Sequence, residues 1–173
     1  MKPLIFQKSD GGKVEISRYA LTRMLAFVQD TPRKNEAGGV LLGRHLLESP
    51  DIVVDEITVP MAGDRRGRSS FYRDHHRHQQ AIQNAWQESR GTCAYLGEWH
   101  THPERCPTPS GTDRREWLRK LQADVFDGDG LYFIVVGTSS LRIWEGMKTT
   151  LQCALIGEYV HPGVSGVQDN NPC

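Results

Sequence analysis

The chain has 173 residues, 38% hydrophobic and 24% charged, a length and composition that suit one soluble domain with a sizeable core. Lys+Arg and Asp+Glu are both 21, so there is no basic footprint for nucleic acid or an anionic membrane, and neither is expected as a partner. The longest apolar run, Leu131 to Val136, is far short of the roughly 20 residues of a membrane helix, and Met1 to Lys8 lacks the apolar core of a signal peptide, so a cytoplasmic location is expected.

In chain order, Leu4 to Gln7 and Lys13 to Ile16 predict short strands around the turn Asp10-Gly11-Gly12. Ser17 is a helix cap, and Leu21, Met24, Leu25 and Val28 follow the helical spacing that hides one face, up to Thr31-Pro32. Gly38 to Leu47 and Ile52 to Val59 read as strands, and Pro60 to Ser70 as a loop. From Asp64 to Arg77 there are five arginines against two aspartates, a local excess in a neutral chain. A helix from about Asp74 to Ser89 carries the stripe His78, Ile82, Ala85 and Trp86. Thr92 to Trp99 predicts a strand running into His100, and a helix starting near Ser110 carries Trp117, Leu118, Leu121 and Val125. Six consecutive apolar residues, Leu131 to Val136, predict a central strand covered on both faces. Leu141 to Trp144 and Leu151 to Val160 complete about eight strands, and residues 161–173 read as a tail after a domain over 1–160. Helices interleaved with strands predict an α/β domain, helices on both faces of a mixed sheet.

The chemistry concentrates in His100-Thr101-His102-Pro103 and Ser110-Gly111-Thr112-Asp113. Side chains two apart in an extended segment share a face, so His100 and His102 point together, and Asp113 can join them from the first turn of the next helix. Two imidazoles and a carboxylate make a three-ligand set for one zinc ion, with a fourth position for water. A water attack needs a base, and Glu36, just before Gly38-Gly39-Val40-Leu41-Leu42-Gly43, is the candidate. Ser110 is the candidate oxyanion donor. Arg65, Arg66 and Arg68, with Phe71, are candidate substrate contacts beside an added substrate strand.

The pattern Glu36, His100-x-His102-Pro103, seven residues from Pro103 to Pro109, Ser110, two residues and Asp113 resembles the JAMM signature of the JAB/MPN metallopeptidases at every position, and the likeness extends over about residues 13 to 160. The resemblance implies a cytidine-deaminase-like α/β/α sandwich and hydrolysis of peptide or isopeptidic bonds, often at the C-terminus of a ubiquitin-like protein. It carries zinc ligation to His100, His102 and Asp113, acid/base work to Glu36 and oxyanion support to Ser110. Phe71-Tyr72-Arg73-Asp74, the helix with His78-Gln79 and Trp86, and Tyr95-Leu96-Gly97-Glu98-Trp99 are similar to the compact JAB peptidases of CBASS antiphage operons. That narrower likeness implies removal of a conjugate from the C-terminus of a CD-NTase (cGAS/DncV-like nucleotidyltransferase), opposing an E1/E2-like enzyme.

Other readings compete. Ser110-x-x-Asp113 is also a helix-capping pattern, compatible with ligation. His75, His76 and His78 could form a second metal site, although His78 aligns with Ile82 as a core residue. Cys106 lies near the histidines as a possible nucleophile, but the four cysteines contain no Cys-x-x-Cys pair and free thiols are expected. A zinc-binding MPN scaffold without turnover, or a JAB peptidase of another ubiquitin-like or sulfur-carrier pathway, would share the ligands. A nucleobase deaminase would need His-x-Glu and Pro-Cys-x-x-Cys, which this chain lacks.

Overall fold

The expected periodicities become three helices and ten strands in a computed structural model that describes residues 2–161. β1 (Leu4–Gln7) and β2 (Lys13–Ile16) form a hairpin whose turn is held by Gly12 N–H donating to Asp10 Oδ1 at 2.9 Å. α1 (Arg18–Leu25) starts at Ser17, whose Oγ accepts from Ala20 N–H at 3.1 Å. β3 (Gly38–His45), β4 (Ile52–Ile57), the short pair β5 (Arg65–Gly67) and β6 (Ser70–Tyr72), and α2 (His75–Glu88) follow. Then come β7 (Ala94–Thr101), α3 (Gly111–Ala123), β8 (Gly130–Val136), β9 (Ser140–Met147) and β10 (Gln152–Val160).

The main sheet has eight strands in the order β1-β2-β4-β3-β7-β8-β9-β10, while β5 and β6 form a separate two-stranded ribbon. β2 with β4 and β7 with β8 run parallel, and the other neighbours are antiparallel. One core packs α1 residues Ala20, Leu21 and Met24 against Leu41, Val54, Leu96, Trp99 and Ile134. The other packs Trp117 and Leu121 of α3, with Ile82 and Ala85 of α2, against Val40, Leu42, Phe133 and Val135. The expected α/β/α arrangement is therefore present. Trp117 stacks on Phe133 with ring centroids 4.6 Å apart, and truncating it to alanine would cost about 3–5 kcal/mol.

A β-bulge in β7 decides which way the site faces. Opposite β3, Leu41 pairs with Gly97 and Leu42 with Tyr95, so Leu96 is skipped. Before the bulge, Ala94 and Leu96 face the α1 core and Tyr95 the other; after it, Trp99 faces α1. His100 is thereby turned toward α3. Gly97 takes φ +138°, and a Cβ there would lie 1.9 Å from Tyr132 O, so only glycine fits. The sheet also curls until its outer strands approach: a Cβ on Gly157 of β10 would lie 2.1 Å from Phe6 Cδ1 of β1.

Several expectations shift. The Pro60 to Ser70 loop contains β5 and leads into β6, strands too short to show an alternating pattern. Val125 is 96% exposed, because α3 stops at Ala123, and Trp86 is 54% exposed, because α2 settles on the sheet through His78, Ile82 and Ala85. His161, the first residue of the expected tail, is buried and its N–H donates to Ser139 O at 3.1 Å. The rest of the expected tail, 162–173, lies outside the described residues. Among the described residues no helix is long and apolar enough to cross a membrane.

Candidate metal centre

The two histidines stand at the carboxyl ends of the parallel pair β7 and β8, the usual place for a site in such a sheet. His100 is in β7, and His102 stays extended because its N–H donates to Val136 O at 2.9 Å. Their Nε2 atoms are 3.1 Å apart. α3 brings in the carboxylate: Ser110 caps the helix, Asp113 N–H donates to Ser110 Oγ at 3.2 Å, and Ser110 N–H donates to Asp113 Oδ2 at 2.7 Å. The Ser110 hydroxyl also donates to Asp113 Oδ2 at 2.6 Å. Asp113 Oδ1 lies 3.4 Å from His100 Nε2, and Oδ2 lies 3.4 Å from His102 Nε2. Capping thus holds the carboxylate beside the imidazoles, so the capping role leaves Asp113 placed where ligation would need it.

One ligand atom from each of His100, His102 and Asp113 lies within 4.8 Å of the others. Two nitrogens and an oxygen converging in this way suit a zinc ion. Burial would raise the Asp113 carboxyl, but hydrogen bonds from His100 and His102 outweigh it and hold the group well below the usual carboxylate range. Burial opposes the charge on His102, yet its hydrogen bond and attraction to Asp113, then the charges of Glu36 and Glu104, push it up.

Glu36 is 5% exposed, and its Oε1 is 4.0 Å from His102 Nε2. Desolvation pushes its carboxyl up to about 7, against the pull of His102. A divalent cation beside it would draw that value down again. Its main chain is fastened to the ribbon: Glu36 N–H donates to Gly67 O at 2.8 Å, and Arg66 Nε donates to Glu36 O at 2.6 Å.

The remaining candidates divide. Phe71 covers Gly38, where a Cβ would lie 2.7 Å from its Cδ1, and Gly38 pairs with His100 across the ladder; the ring therefore lies at the rim of the centre. Arg66 and Arg68 do not stand free for a substrate. Arg66 also donates to Asn35 O at 3.3 Å, and Arg68 Nη1 donates to Thr31 O at 2.7 Å and Lys34 O at 3.0 Å. Arg65 lies over the Tyr72 ring, 5.3 Å from its centroid. Charge counting could not show that the nearest acceptors are carbonyls of the segment carrying Glu36. Glu98, on which the sequence reading placed no role, joins Arg73 Nη2 at 2.7 Å and Lys120 Nζ at 3.4 Å, linking the ribbon's exit to α3.

Among the described residues no second group of three metal ligands exists. His78 is buried in a hydrogen-bonded chain, and His75 and His76 are exposed. Cys93 and Cys153 are free thiols.

An α/β/α sheet with a His-His-Asp centre at the ends of its parallel strands, and a buried glutamate beside it, defines a JAB-type domain. The chain belongs to the family of prokaryotic homologs of the JAB domain, which matches residues 17–146. It is similar to the CD-NTase/cGAS isopeptidase of Vibrio cholerae serotype O1, at 36% identity over 145 residues, 84% of this chain and 88% of that one. Proteins of the same name resemble it at 38% in Pseudomonas aeruginosa, covering 75% and 80% of the two chains, and at 32% in Escherichia coli, covering 86% and 90%. The solution structure of protein DSY2949 from Desulfitobacterium hafniense shares the fold, with TM-score 0.58 and 19% identity over 81% of this chain and 87% of that one.

Proposed function

We propose that this chain is a zinc-dependent isopeptidase of a CBASS antiphage system, cleaving a conjugate from the C-terminus of a CD-NTase. The observation that carries the reading is likeness to relatives named CD-NTase/cGAS isopeptidase over most of both chains. His100, His102 and Asp113 would hold the ion. Bound there, zinc would supply a Lewis acid and acidify a water to a pKa of about 7.

The chain's own residues do the rest. Glu36 takes a proton from the attacking water as it adds to the scissile carbonyl, then returns it to the leaving amine, so water and amide become acid and amine. Desolvation strengthens Glu36 as a base, and a cation beside it would moderate that effect. Ser110 orients Asp113, and its hydroxyl would turn from Oδ2 toward the developing oxyanion. Phe71, packed over Gly38, would line the entry. A scaffold without turnover has no use for a glutamate desolvated at this place. The domain would span residues 1–160 and work in the cytoplasm, reversing an E1/E2-like conjugating enzyme.

The test uses a CBASS nucleotidyltransferase fused through its C-terminus to a reporter and treated with zinc-loaded enzyme or its Glu36→Gln variant, with product masses read by mass spectrometry. A single cut after the native C-terminus, given only by the enzyme with Glu36, is expected. No cut by either protein would reject the substrate.

A further inference from the structure

The β3–β7 ladder ends one residue short of the candidate base. Gly38, the first residue of β3, pairs with His100, and Thr101 N–H donates to Ala37 O at 2.8 Å. Beyond that, β7 turns its backbone to β8 through His102, so the Ala37 N–H, unlike that of Glu36, is left to a side chain. Ala37 N–H donates to Thr101 Oγ1 at 3.0 Å, and that hydroxyl donates to Gln29 Oε1 at 3.1 Å. The Gln29 amide then donates to Lys34 O at 3.2 Å and Arg68 O at 2.9 Å. Both side chains are buried, so each bond is made where a lost partner is costly.

One amide thus meets three pieces of the site: the hydroxyl between the two histidines, the segment two residues before Glu36, and the tip of the β5–β6 ribbon. We propose that Gln29, acting through Thr101, is a positioning residue that sets Glu36 against the histidine strand and couples its placement to the ribbon. Neither side chain need touch substrate or metal. The role as stated in catalytic terms rests on the isopeptidase reading; the positioning itself does not.

The test pairs an activity readout with one that needs no turnover. Thr101→Val keeps the shape and removes both hydrogen bonds, while Thr101→Ser keeps the hydroxyl. With the fused nucleotidyltransferase, Thr101→Val is expected to lower kcat by about 10- to 100-fold, as misplacement of a catalytic group does. KM and zinc content should stay at the parent values, and Thr101→Ser should recover most of the rate. Arg66→Ala, an exposed change that frees Glu36 O, should likewise act on kcat. A raised KM with unchanged kcat in either Arg66→Ala or Thr101→Val would overturn the proposal.

Amide hydrogen exchange is measured on the same proteins. Thr101→Val and Gln29→Glu, which turns a donor into an acceptor facing two carbonyls, should lose protection at Glu36 and Ala37 while β8 keeps its own. Unchanged protection at Glu36 and Ala37 would overturn the proposal even if the parent enzyme cleaves nothing, in which case the substrate assignment fails separately. If Gln29→Glu does not fold, the Thr101 pair and Arg66→Ala still decide.

Discussion

The same face of the sheet carries two histidine–aspartate clusters, and they are opposites. Around His78 every proton has a place. Val40 N–H donates to Thr58 Oγ1 at 2.8 Å, Thr58 Oγ1 contacts His78 Nδ1 at 2.7 Å, and His78 Nε2 contacts Asp64 Oδ2 at 3.2 Å. Because the Asp64 carboxylate can only accept, the proton of the neutral ring sits on Nε2, and Nδ1 accepts from the Thr58 hydroxyl. Asp64 also accepts from Met61 N–H and Asp74 N–H, both at 2.7 Å. The cluster is closed, and it pins the start of α2 and the chain before the ribbon to β3. At His100, His102 and Asp113 the polar atoms instead point at one another, with two Nε2 atoms at 3.1 Å and carboxylate oxygens at 3.4 Å. Residue type does not separate a core histidine from a candidate ligand; the supply of protons to its neighbours does.

Experiments can break that contrast. The largest effect belongs to the open cluster's neighbour: Glu36→Gln should lose about 10²- to 10⁴-fold in kcat, the usual contribution of a general base, while retaining metal by elemental analysis. Near-parent activity would remove Glu36 as the base. His78→Ala should instead cost about 2–4 kcal/mol in chemical unfolding, because it strands the Thr58 hydroxyl and part of the Asp64 carboxylate. Zinc stoichiometry should stay unchanged; a parallel loss of metal would merge the two clusters functionally. Zinc at 100 times its dissociation constant should stabilise the parent by about 2.7 kcal/mol, read as a shift in unfolding midpoint, and His102→Ala should abolish that shift.

A subtler difference is in pH. Burial is the largest influence on His78 and lowers its pKa below the ordinary 6.5, against the hydrogen bond and charge of Asp64. As pH falls below 6.5, the unfolded chain takes up a proton that the folded chain refuses, so this residue's contribution to stability is present above that pH and lost beneath it. His78→Gln should flatten the acid side of the stability profile between pH 7.5 and pH 5 in thermal melts, and an unchanged slope would refute the assignment.

The candidate ligands were legible because their spacing is chemical: imidazoles two apart in a strand, then a capped helix with an acid in its first turn. The helices and most strands of the main sheet were legible from period alone. What escaped depends on partners distant in the chain. Gln29 sits in Gln29-Asp30-Thr31-Pro32, which reads as the end of a helix, and nothing local reveals the carbonyl of Arg68. The arginines announced charge but not its use, since Arg66 and Arg68 turn to backbone oxygens thirty or so residues away in sequence. Gly97 carried a usable signal, because an isolated glycine in a strand pattern suggests a bulge. The change of face that follows, however, needs the register with β3.

The curl of the sheet governs when this protein can acquire its shape. Phe6, near the beginning of the domain, finishes its packing only against Gly157 near the end. Loop closure over such a separation is slow and comes late, so the outer wall of the α1 core remains open until β10 has been synthesised. A nascent chain lacking that strand would expose Leu4 and Phe6, which pack against this core, to the cell's chaperones. The strands beside the candidate centre, β3 and β7, are central and contiguous and need not wait for it.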